Sequence, residues 1–276
     1  MSNNCHLPVK KVYVDSRYRT PNSTSDSIFQ IQLGRNIYLP ERTVMRIDHC
    51  VIPHSWFTIE KDMNDTMYFV IERGSGTGCY TITIPSTNYS GITLASTLQA
   101  LFNAILPSQL VVSYVANTNS IAITLNIGAA GFLYILTDDE LATRWRNQWS
   151  GIDYDSNNPN SCNDIITNRT ASRTTSTWSS GCVNLQGFRA VYLSSSNLSN
   201  YNTLGSRGEN DIIKKVSTTS DFGYLIIEQG LSDDDYLACE RMTLNTIDFR
   251  ITDVKGREIP FHDSPVSFTI YLSIQE

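Results

Sequence analysis

The feature that most constrains the fold of this chain is a period-two alternation of apolar and polar residues. It is clearest in residues 267–274, which read SFTIYLSI, where every second residue is large and apolar. Successive side chains of a β-strand point to opposite faces, so this pattern is typical of a strand with one face in a core and one in water. The same alternation recurs in residues 29–33, 80–84 and 121–126. The sequence therefore predicts a protein built mainly from short, half-buried strands.

Other apolar runs predict further strands without so clean an alternation. These candidates are residues 9–14, 43–52, 66–72, 109–115, 131–136, 188–194, 212–217, 222–228 and 242–252. Residues 43–52 and 222–228 are apolar enough to indicate strands that are covered on both faces.

Two helices are predicted between the strands. The first runs from about Ile92 to Leu106, where leucine, isoleucine and phenylalanine recur at helical spacing on one face and Pro107 ends the pattern. The second runs from about Asp138 to Trp149, and Thr137 with Glu140 forms a capping box at its start.

So many short strands with so few helices predict an all-β protein with two packed sheets, a sandwich or a barrel. A single jelly-roll β-sandwich, with one or two short helices in its connecting loops, fits the strand count. The pattern alone does not choose the jelly roll over other Greek-key sandwiches. We expect an extended N-terminal arm over residues 1–26 and one jelly-roll domain over residues 27–276.

Residues 150–187 form a long polar stretch with few apolar residues. Connections of this length are uncommon in a compact domain unless they are functional or belong to an interface. The apolar content is too low for an independent core, so we expect a polar loop or insertion in the jelly-roll domain.

Composition excludes several classes of protein. The chain has 276 residues, of which 41% are hydrophobic and 17% charged, so it is too apolar to be disordered. Its formal net charge of −6 and the lack of a basic stripe are unlike a typical nucleic-acid binder, although Lys10, Lys11, Arg17 and Arg19 make the N-terminal arm basic. We therefore expect weak nucleic-acid contact or none. The sequence has no signal peptide and no transmembrane segment, which predicts a soluble protein made in the cytosol.

The six cysteines lie far apart and form no CxxC motif, so we expect them to be mostly reduced and buried. Cys162 and Cys182 flank part of the polar stretch and are the one pair to test as a disulfide.

The residue patterns that could support chemistry are incomplete. The glycine-rich residues 73–78 precede a predicted strand, whereas a phosphate loop needs a helix and a Lys-Ser/Thr pair. Residues 232–235 lack the spacing of a calcium loop. In an extended strand His49 points away from Cys50 and His54, which breaks a three-ligand zinc set. We therefore predict no catalytic residue, no metal ligand and no cofactor, and expect that the protein is not an enzyme.

The order of several short motifs resembles that of a known family. The chain opens with VDSRYRT, continues with MRIDHCVIPHSWFTI and YTITIPSTNYSGITLASTLQALFNAI, and closes with MTLNTIDFRITDVKGREIPFHDSPVSFTIYLSI. This succession resembles the penton, or vertex minor capsid, proteins of double-jelly-roll DNA viruses, a family that includes virophages, polinton-type elements and related large DNA viruses. The resemblance covers residues 12–137 and 187–274, and residues 150–187 match none of its motifs.

The resemblance implies a single jelly roll whose strands stand upright to the capsid surface. Five copies would close a homopentamer at the icosahedral fivefold vertex, surrounded by major capsid protein trimers and other minor capsid proteins. The protein would be a structural component of the virion, made in the host cytoplasm.

In that setting two groups of residues are candidates for the interface. Aromatic anchors are expected at Trp56, Phe57 and Trp178, although the core is the commoner place for such residues. The arm motif supplies Asp15, Ser16, Arg17, Tyr18 and Arg19. Because guanidinium forks suit carboxylates and backbone carbonyls, we expect this motif to dock at the base of the jelly roll or on a neighbour. Replacing both arginines by alanine is then expected to weaken assembly more than folding.

Two alternatives come from other functional classes. A β-sandwich attachment or carbohydrate-binding module would use exposed aromatic residues such as Trp178 and the polar stretch 150–187. A β-sandwich hydrolase would need a pocket with convergent carboxylates or a Ser/His pair, and the sequence indicates none.

Overall fold

A computed structural model describes residues 10–126, 131–143, 152–198, 203–229 and 236–274. Within these ranges the strands of the first part of the chain are β1 (Lys10–Asp15), β2 (Ile28–Leu39), β3 (Thr43–Pro53), β4 (Thr66–Arg73), β5 (Gly76–Thr83), β6 (Leu110–Val115), β7 (Ser120–Leu125) and β8 (Gly131–Ile135). The later strands are β9 (Thr177–Ser179), β10 (Ala190–Ser194), β11 (Ile212–Ser217), β12 (Leu225–Glu228), β13 (Leu237–Ala238), β14 (Met242–Thr252) and β15 (Ser267–Ile274). The helices are α1 (Gly91–Ile105), α2 (Asp138–Thr143) and α3 (Asn163–Ile166). The protein is therefore all-β with a few short helices, as its alternation predicts.

The chain divides into two compact units. The first, which we call the sandwich unit, consists of Met1–Trp56 and Phe188–Glu276. The second, the inserted unit, is the continuous segment Phe57–Gly187. This division differs from the expected single domain over residues 27–276, because the segment between β3 and β10 buries an apolar core of its own.

The sandwich unit has the strand order of a jelly roll. One sheet has the order β1-β15-β3-β12, with β13 also paired to β3, and the other has the order β11-β10-β14-β2. All of the pairs in both sheets are antiparallel. Apart from the two-residue strand β13, eight strands form two four-stranded layers with long crossings between them, which is the jelly-roll arrangement. The predicted jelly-roll sandwich is therefore confirmed.

Aromatic packing holds the two sheets of the sandwich unit face to face. Phe29 and Phe249 are paired neighbours in one sheet, with ring centroids 5.4 Å apart. Phe268 of the opposite sheet meets Phe249 edge to face at 5.0 Å. All three side chains are buried, and such pairs stabilise a core by about 0.5–1.5 kcal/mol beyond the burial of their area.

The inserted unit packs two three-stranded sheets, β5-β4-β8 and β6-β7-β9, with helix α1. Ser90 and Thr93 form a reciprocal capping box at the start of α1, and the helix ends just before Pro107, as predicted. Its apolar face enters the core, where the Phe102 ring meets Phe69 edge to face at 4.9 Å.

The described part of the polar stretch 150–187 contributes to the core of the inserted unit. Residues Ile165, Ile166 and Trp178 are buried in the same cluster as the strands and α1, and Ile152 and Tyr154 are buried against β4. These apolar residues are too sparse to form a core alone, but they cover one formed by residues 57–136. Within the expected polar loop or insertion, the described residues form a covering segment that contains α3 and β9.

Helix α2 begins as predicted. Glu140 N donates to Thr137 Oγ1 over 3.2 Å, and Thr137 N donates to Glu140 Oε2 over 3.0 Å, which is the capping box read from the sequence. The rest of the predicted helix, beyond Thr143, lies outside the described residues.

The described cysteines are free thiols. Burial raises the pKa of Cys50 and Cys239 to about 12, and it raises the pKa of Cys162 as well. Cys182 is exposed. The two members of the pair singled out for a disulfide therefore lie in opposite environments, one in the core and one on the surface.

We predict that an alkylating reagent at pH 8 modifies Cys182 in the folded protein and reaches Cys162 only after unfolding, because the reactive species is the exposed thiolate. Peptide mass spectrometry before and after denaturation measures both sites. Equal labelling of the two in the folded state, or a Cys162–Cys182 cross-linked peptide, would contradict this expectation.

Candidate interaction surface

The VDSRYRT motif forms a tight turn at the end of β1. Residues Ser16–Tyr18 make a single 3-10 turn, and the Asp15 side chain accepts a hydrogen bond from Arg17 N at its start. Ser16 is fully buried, and its main-chain N–H donates to the Val266 carbonyl over 2.9 Å. Val266 N–H donates in return to Ser16 Oγ over 3.1 Å. The turn is therefore fixed to the chain that enters β15.

A buried carboxylate completes the inner side of this turn. Asp26 Oδ1 accepts from Ser16 Oγ at 2.7 Å and from Arg19 Nη1 at 2.5 Å. The Asp26 side chain is only 9% exposed. A buried charge is tolerated only when it is paired and hydrogen-bonded, which Ser16 and Arg19 achieve together. Both residues therefore act in the fold of the sandwich unit.

Sequence analysis missed Asp26. Its only signal was its place as the single carboxylate of the polar tract PNSTSDS, which directly follows the two arginines. A sequence does not say which of several nearby charges will be buried, so it does not identify the carboxylate that pairs with Arg19.

The outer side of the turn faces solvent. The Arg17 side chain is 68% exposed and binds both oxygens of Asp15, at 2.9 Å from Nε and 2.6 Å from Nη2. These hydrogen bonds hold the pKa of Asp15 below its ordinary value, so their contribution to stability is lost as the pH falls through that lowered pKa. Tyr18 is 80% exposed. The motif thus has an inner half that fixes the fold and an outer half that is open to a partner.

The two candidate tryptophans are in the interior. Trp56 has no exposed surface, and its ring packs against His54, Phe188 and Phe261 at centroid distances of 4.4, 6.1 and 6.0 Å. Trp178 is buried in the core of the inserted unit. The interpretation of both as interface anchors is therefore corrected, because a buried ring presents no surface to a neighbouring subunit.

Phe57 differs from the tryptophans. It is half-buried, and its main-chain N–H donates to Glu60 Oε1 over 2.6 Å. Its role at an interface stays a prediction.

The edge of the first sheet at β12 carries an exposed apolar surface. Tyr224, Leu225 and Ile227 are 70%, 55% and 59% exposed, and Phe222 in the preceding turn is nearly half exposed. We call these four residues the β12 patch. Among the described residues β12 pairs with β3 alone. The expectation that residues 222–228 are covered on both faces is therefore wrong for the isolated chain.

The opposite edge of the same sheet, at β1, is aromatic and basic. Tyr13 is 76% exposed on β1, and Lys11 lies beside it on the same face, with its ammonium 4.6 Å from the centroid of the Tyr271 ring. We use the name β1 patch for four residues, which are Lys11 and Tyr13 of β1 and Arg17 and Tyr18 of the adjoining turn. The two ends of one sheet thus present different surfaces.

The sites considered for chemistry remain incomplete in the structure. His49 points to solvent from a position of positive φ, whereas Cys50 and His54 are buried. The described residues bring together no group of three or more His, Cys, Asp or Glu that could hold a metal ion. The glycine-rich residues 73–78 form a hairpin between β4 and β5, and residues 232–235 lie outside the described ranges.

One small cleft of about 120 Å³ in the sandwich unit has several carboxylates in its lining, including Glu209, Asp211 and Asp253. Two of these carboxylates bind groups within the loops that carry them. Glu209 accepts from Arg207 N, and Asp253 binds the Arg257 side chain at 2.8 Å. These contacts order the loops and do not leave a pair of carboxylates aimed at a common point.

No helix within the described ranges is long and apolar enough to cross a membrane.

Solved structures of other proteins match the fold of this chain. The chain is similar to the crystal structure of the selenomethionine-labelled penton protein of mavirus, with 10% sequence identity and a TM-score of 0.48. The match covers 96% of this chain and 99% of that chain. No family model matches the chain, and no curated protein sequence matches it.

We predict that Arg19→Ala lowers the free energy of unfolding by about 2 kcal/mol, because it leaves the buried Asp26 carboxylate with one donor fewer. Arg17→Ala is the matched control, since it removes an exposed pair of the same chemistry and is expected to leave the urea midpoint nearly unchanged. Equal destabilisation by the two variants would contradict the division of the motif into inner and outer halves.

Proposed function

We propose that this protein is a penton, a structural capsid protein that forms a homopentamer at the fivefold vertices of an icosahedral virion. In this proposal it contacts the surrounding major capsid protein trimers and other minor capsid proteins. It acts in the virion after synthesis in the host cytoplasm, and it is not an enzyme.

The observation that carries this proposal is the strand order of the sandwich unit, β1-β15-β3-β12 with β11-β10-β14-β2. Jelly rolls of two four-stranded sheets serve as viral capsid domains, lectin domains and cupins. Because a fold does not determine a function, other features have to choose among these classes.

The positions of the sequence motifs favour the capsid class. VDSRYRT spans the end of β1 and the turn after it, and the residues IPHSW span the end of β3. The closing motif, residues 242–274, covers β14, β15 and their connection. The motifs that resemble the penton family therefore fall on four strands of the jelly roll, in the family's order.

The asymmetry of the first sheet also supports a ring. A cyclic pentamer uses a heterologous interface, in which two different surfaces of each subunit meet. The aromatic, apolar β12 patch and the basic, aromatic β1 patch are two such surfaces on one subunit.

The main observation in favour of the attachment or carbohydrate-binding alternative was an exposed aromatic residue, and the structure does not support it. Trp178, the aromatic residue chosen for a sugar contact, is buried in the inserted unit. Trp178→Ala would therefore be expected to destabilise that unit, and a loss of glycan binding in this variant would not identify a sugar site.

We predict that the purified full-length chain forms a particle with five times the 31.0 kDa chain mass. Native mass spectrometry over a range of protein concentrations, with light scattering at several salt concentrations, measures the stoichiometry. A particle that stays a monomer or a trimer under all of these conditions would count decisively against the penton assignment.

A further inference from the structure

We infer that the ring closes edge to edge, with the β12 patch of one copy docked on the β1 patch of the next. This inference rests on the proposed homopentamer and goes beyond it by naming the two surfaces that meet. It follows from the charge, the exposure and the strand direction at the two ends of one sheet.

Strand β12 differs from the edge strands β1, β2 and β11 in having no basic residue. Proteins commonly protect an edge strand from pairing with other chains by placing charged side chains on it, lysine above all. Three edge strands of the sandwich carry such residues: β1 has Lys10 and Lys11, β2 has Arg35, and β11 has Lys214 and Lys215. Strand β12 reads LIIE and has none. Of the four sheet edges of the sandwich unit within the described residues, the edge formed by β12 and β13 is the one whose strands carry no basic residue.

The main chain of β12 directs hydrogen-bonding groups away from β3. The carbonyl of Tyr224 accepts a hydrogen bond from His54 N over 2.9 Å, so the main-chain carbonyl of Tyr224 points toward β3. Main-chain groups of an antiparallel strand alternate between its two sides, so those of Leu225 and Ile227 point away from β3. The same two residues expose more than half of their side chains. The edge therefore offers main-chain groups and apolar area at the same positions.

Charge complementarity between β12 and β1 selects a second copy of this chain as the occupant of the β12 patch. Residues 219–229 contain two carboxylates, Asp221 and Glu228, and no basic residue. Residues 10–19 contain four basic residues, of which Arg17 and Arg19 are paired with Asp15 and Asp26, so the positive charge left for a partner is that of Lys10 and Lys11. Opposite charge favours contact between these two segments, and the exposed rings of Tyr13 and Tyr18 give the apolar β12 patch a surface to cover.

The same charges oppose the symmetric alternatives. Two β1 edges would bring together two net basic, lysine-bearing segments, which disfavours an isologous dimer through β1. Two β12 edges would bring together two net acidic segments. Contact between unlike edges avoids both repulsions.

Strand direction permits this contact to repeat. Strands β1 and β12 lie at the two ends of one sheet path, separated by β15 and β3, or about 14 Å at the usual strand spacing. Because every neighbour in that path is antiparallel, β12 runs opposite to β1. A β12 edge beside the β1 edge of the next copy is therefore also antiparallel, and each copy can use both edges at once.

The test uses two full-length variants and a control. Ile227→Lys places a charge on the β12 patch, and the double variant Lys11→Ser, Tyr13→Ala removes the charge and the ring of the β1 patch without adding an acid. Val254→Lys is the control, since Val254 is a similarly exposed apolar residue of the sandwich unit, in the turn after β14. We expect each patch variant to raise the concentration for half-assembly by at least about tenfold, as hot-spot changes do, and the control to leave it unchanged.

Mixing the two patch variants tests which surfaces meet. Ile227→Lys keeps an intact β1 patch and the double variant keeps an intact β12 patch, so an equimolar mixture should form a one-to-one heterodimer that cannot grow. A mixture that remains monomeric would overturn the pairing of these two edges. A mixture that rebuilds pentamers would overturn the claim that both patches are needed in every subunit.

Two controls keep the outcomes separate. Urea midpoints of the monomeric variants, together with Leu225→Lys as a second variant on the same face, test whether lost assembly comes from lost folding. A wild-type pentamer that survives both Ile227→Lys and Leu225→Lys overturns the edge assignment but leaves the penton proposal standing. A wild-type chain that never forms a pentamer overturns both.

Discussion

The pairing of β15 with both β1 and β3 is the constraint on which the sandwich unit depends. It places the last described strand between two strands from the beginning of the chain, so the sheet does not exist until distant segments have met. Phe268 of β15 also reaches the opposite sheet through Phe249, so one strand connects both layers. The inserted unit separates β3 from β10 in sequence, but the entropic cost of closing a long connection grows only slowly with its length.

The turn after β1 connects this pairing to the surface. Because Ser16 binds Val266 and Asp26, the position of the turn is set where β15 begins. Arg17 and Tyr18 are thereby presented next to the β1 edge on a backbone that is fixed from inside. The inner contacts stabilise the fold and the outer residues keep their freedom to bind, which explains how one short motif can serve both purposes.

The sequence predicts the individual strands and helices of this protein better than it predicts which of them pack together. Alternation finds β15 and helical spacing finds α1, since both depend on local burial. The pairing of β15 with β1 and β3, like the separate core of residues 57–187, depends on contacts between residues that are far apart in the sequence. A local pattern does not record such contacts. The same holds for Trp56, where the sequence leaves core and interface open and only the surrounding rings of Phe188 and Phe261 decide. The sequence predicts residues 222–228 as a strand covered on both faces, and in the proposed ring the next subunit would supply the missing cover.

The proposed ring assembly depends on three features of this chain. These are the jelly roll, the division of the VDSRYRT motif into inner and outer halves, and the two unlike edges of one sheet. Electron cryo-microscopy of the assembled protein tests the central claim of this proposal most directly. The account predicts a closed particle with fivefold symmetry in which the β12 edge of each sandwich unit lies against the β1 edge of the next. A particle of another symmetry, or a fivefold ring in which Leu225 and Ile227 face solvent, would contradict it.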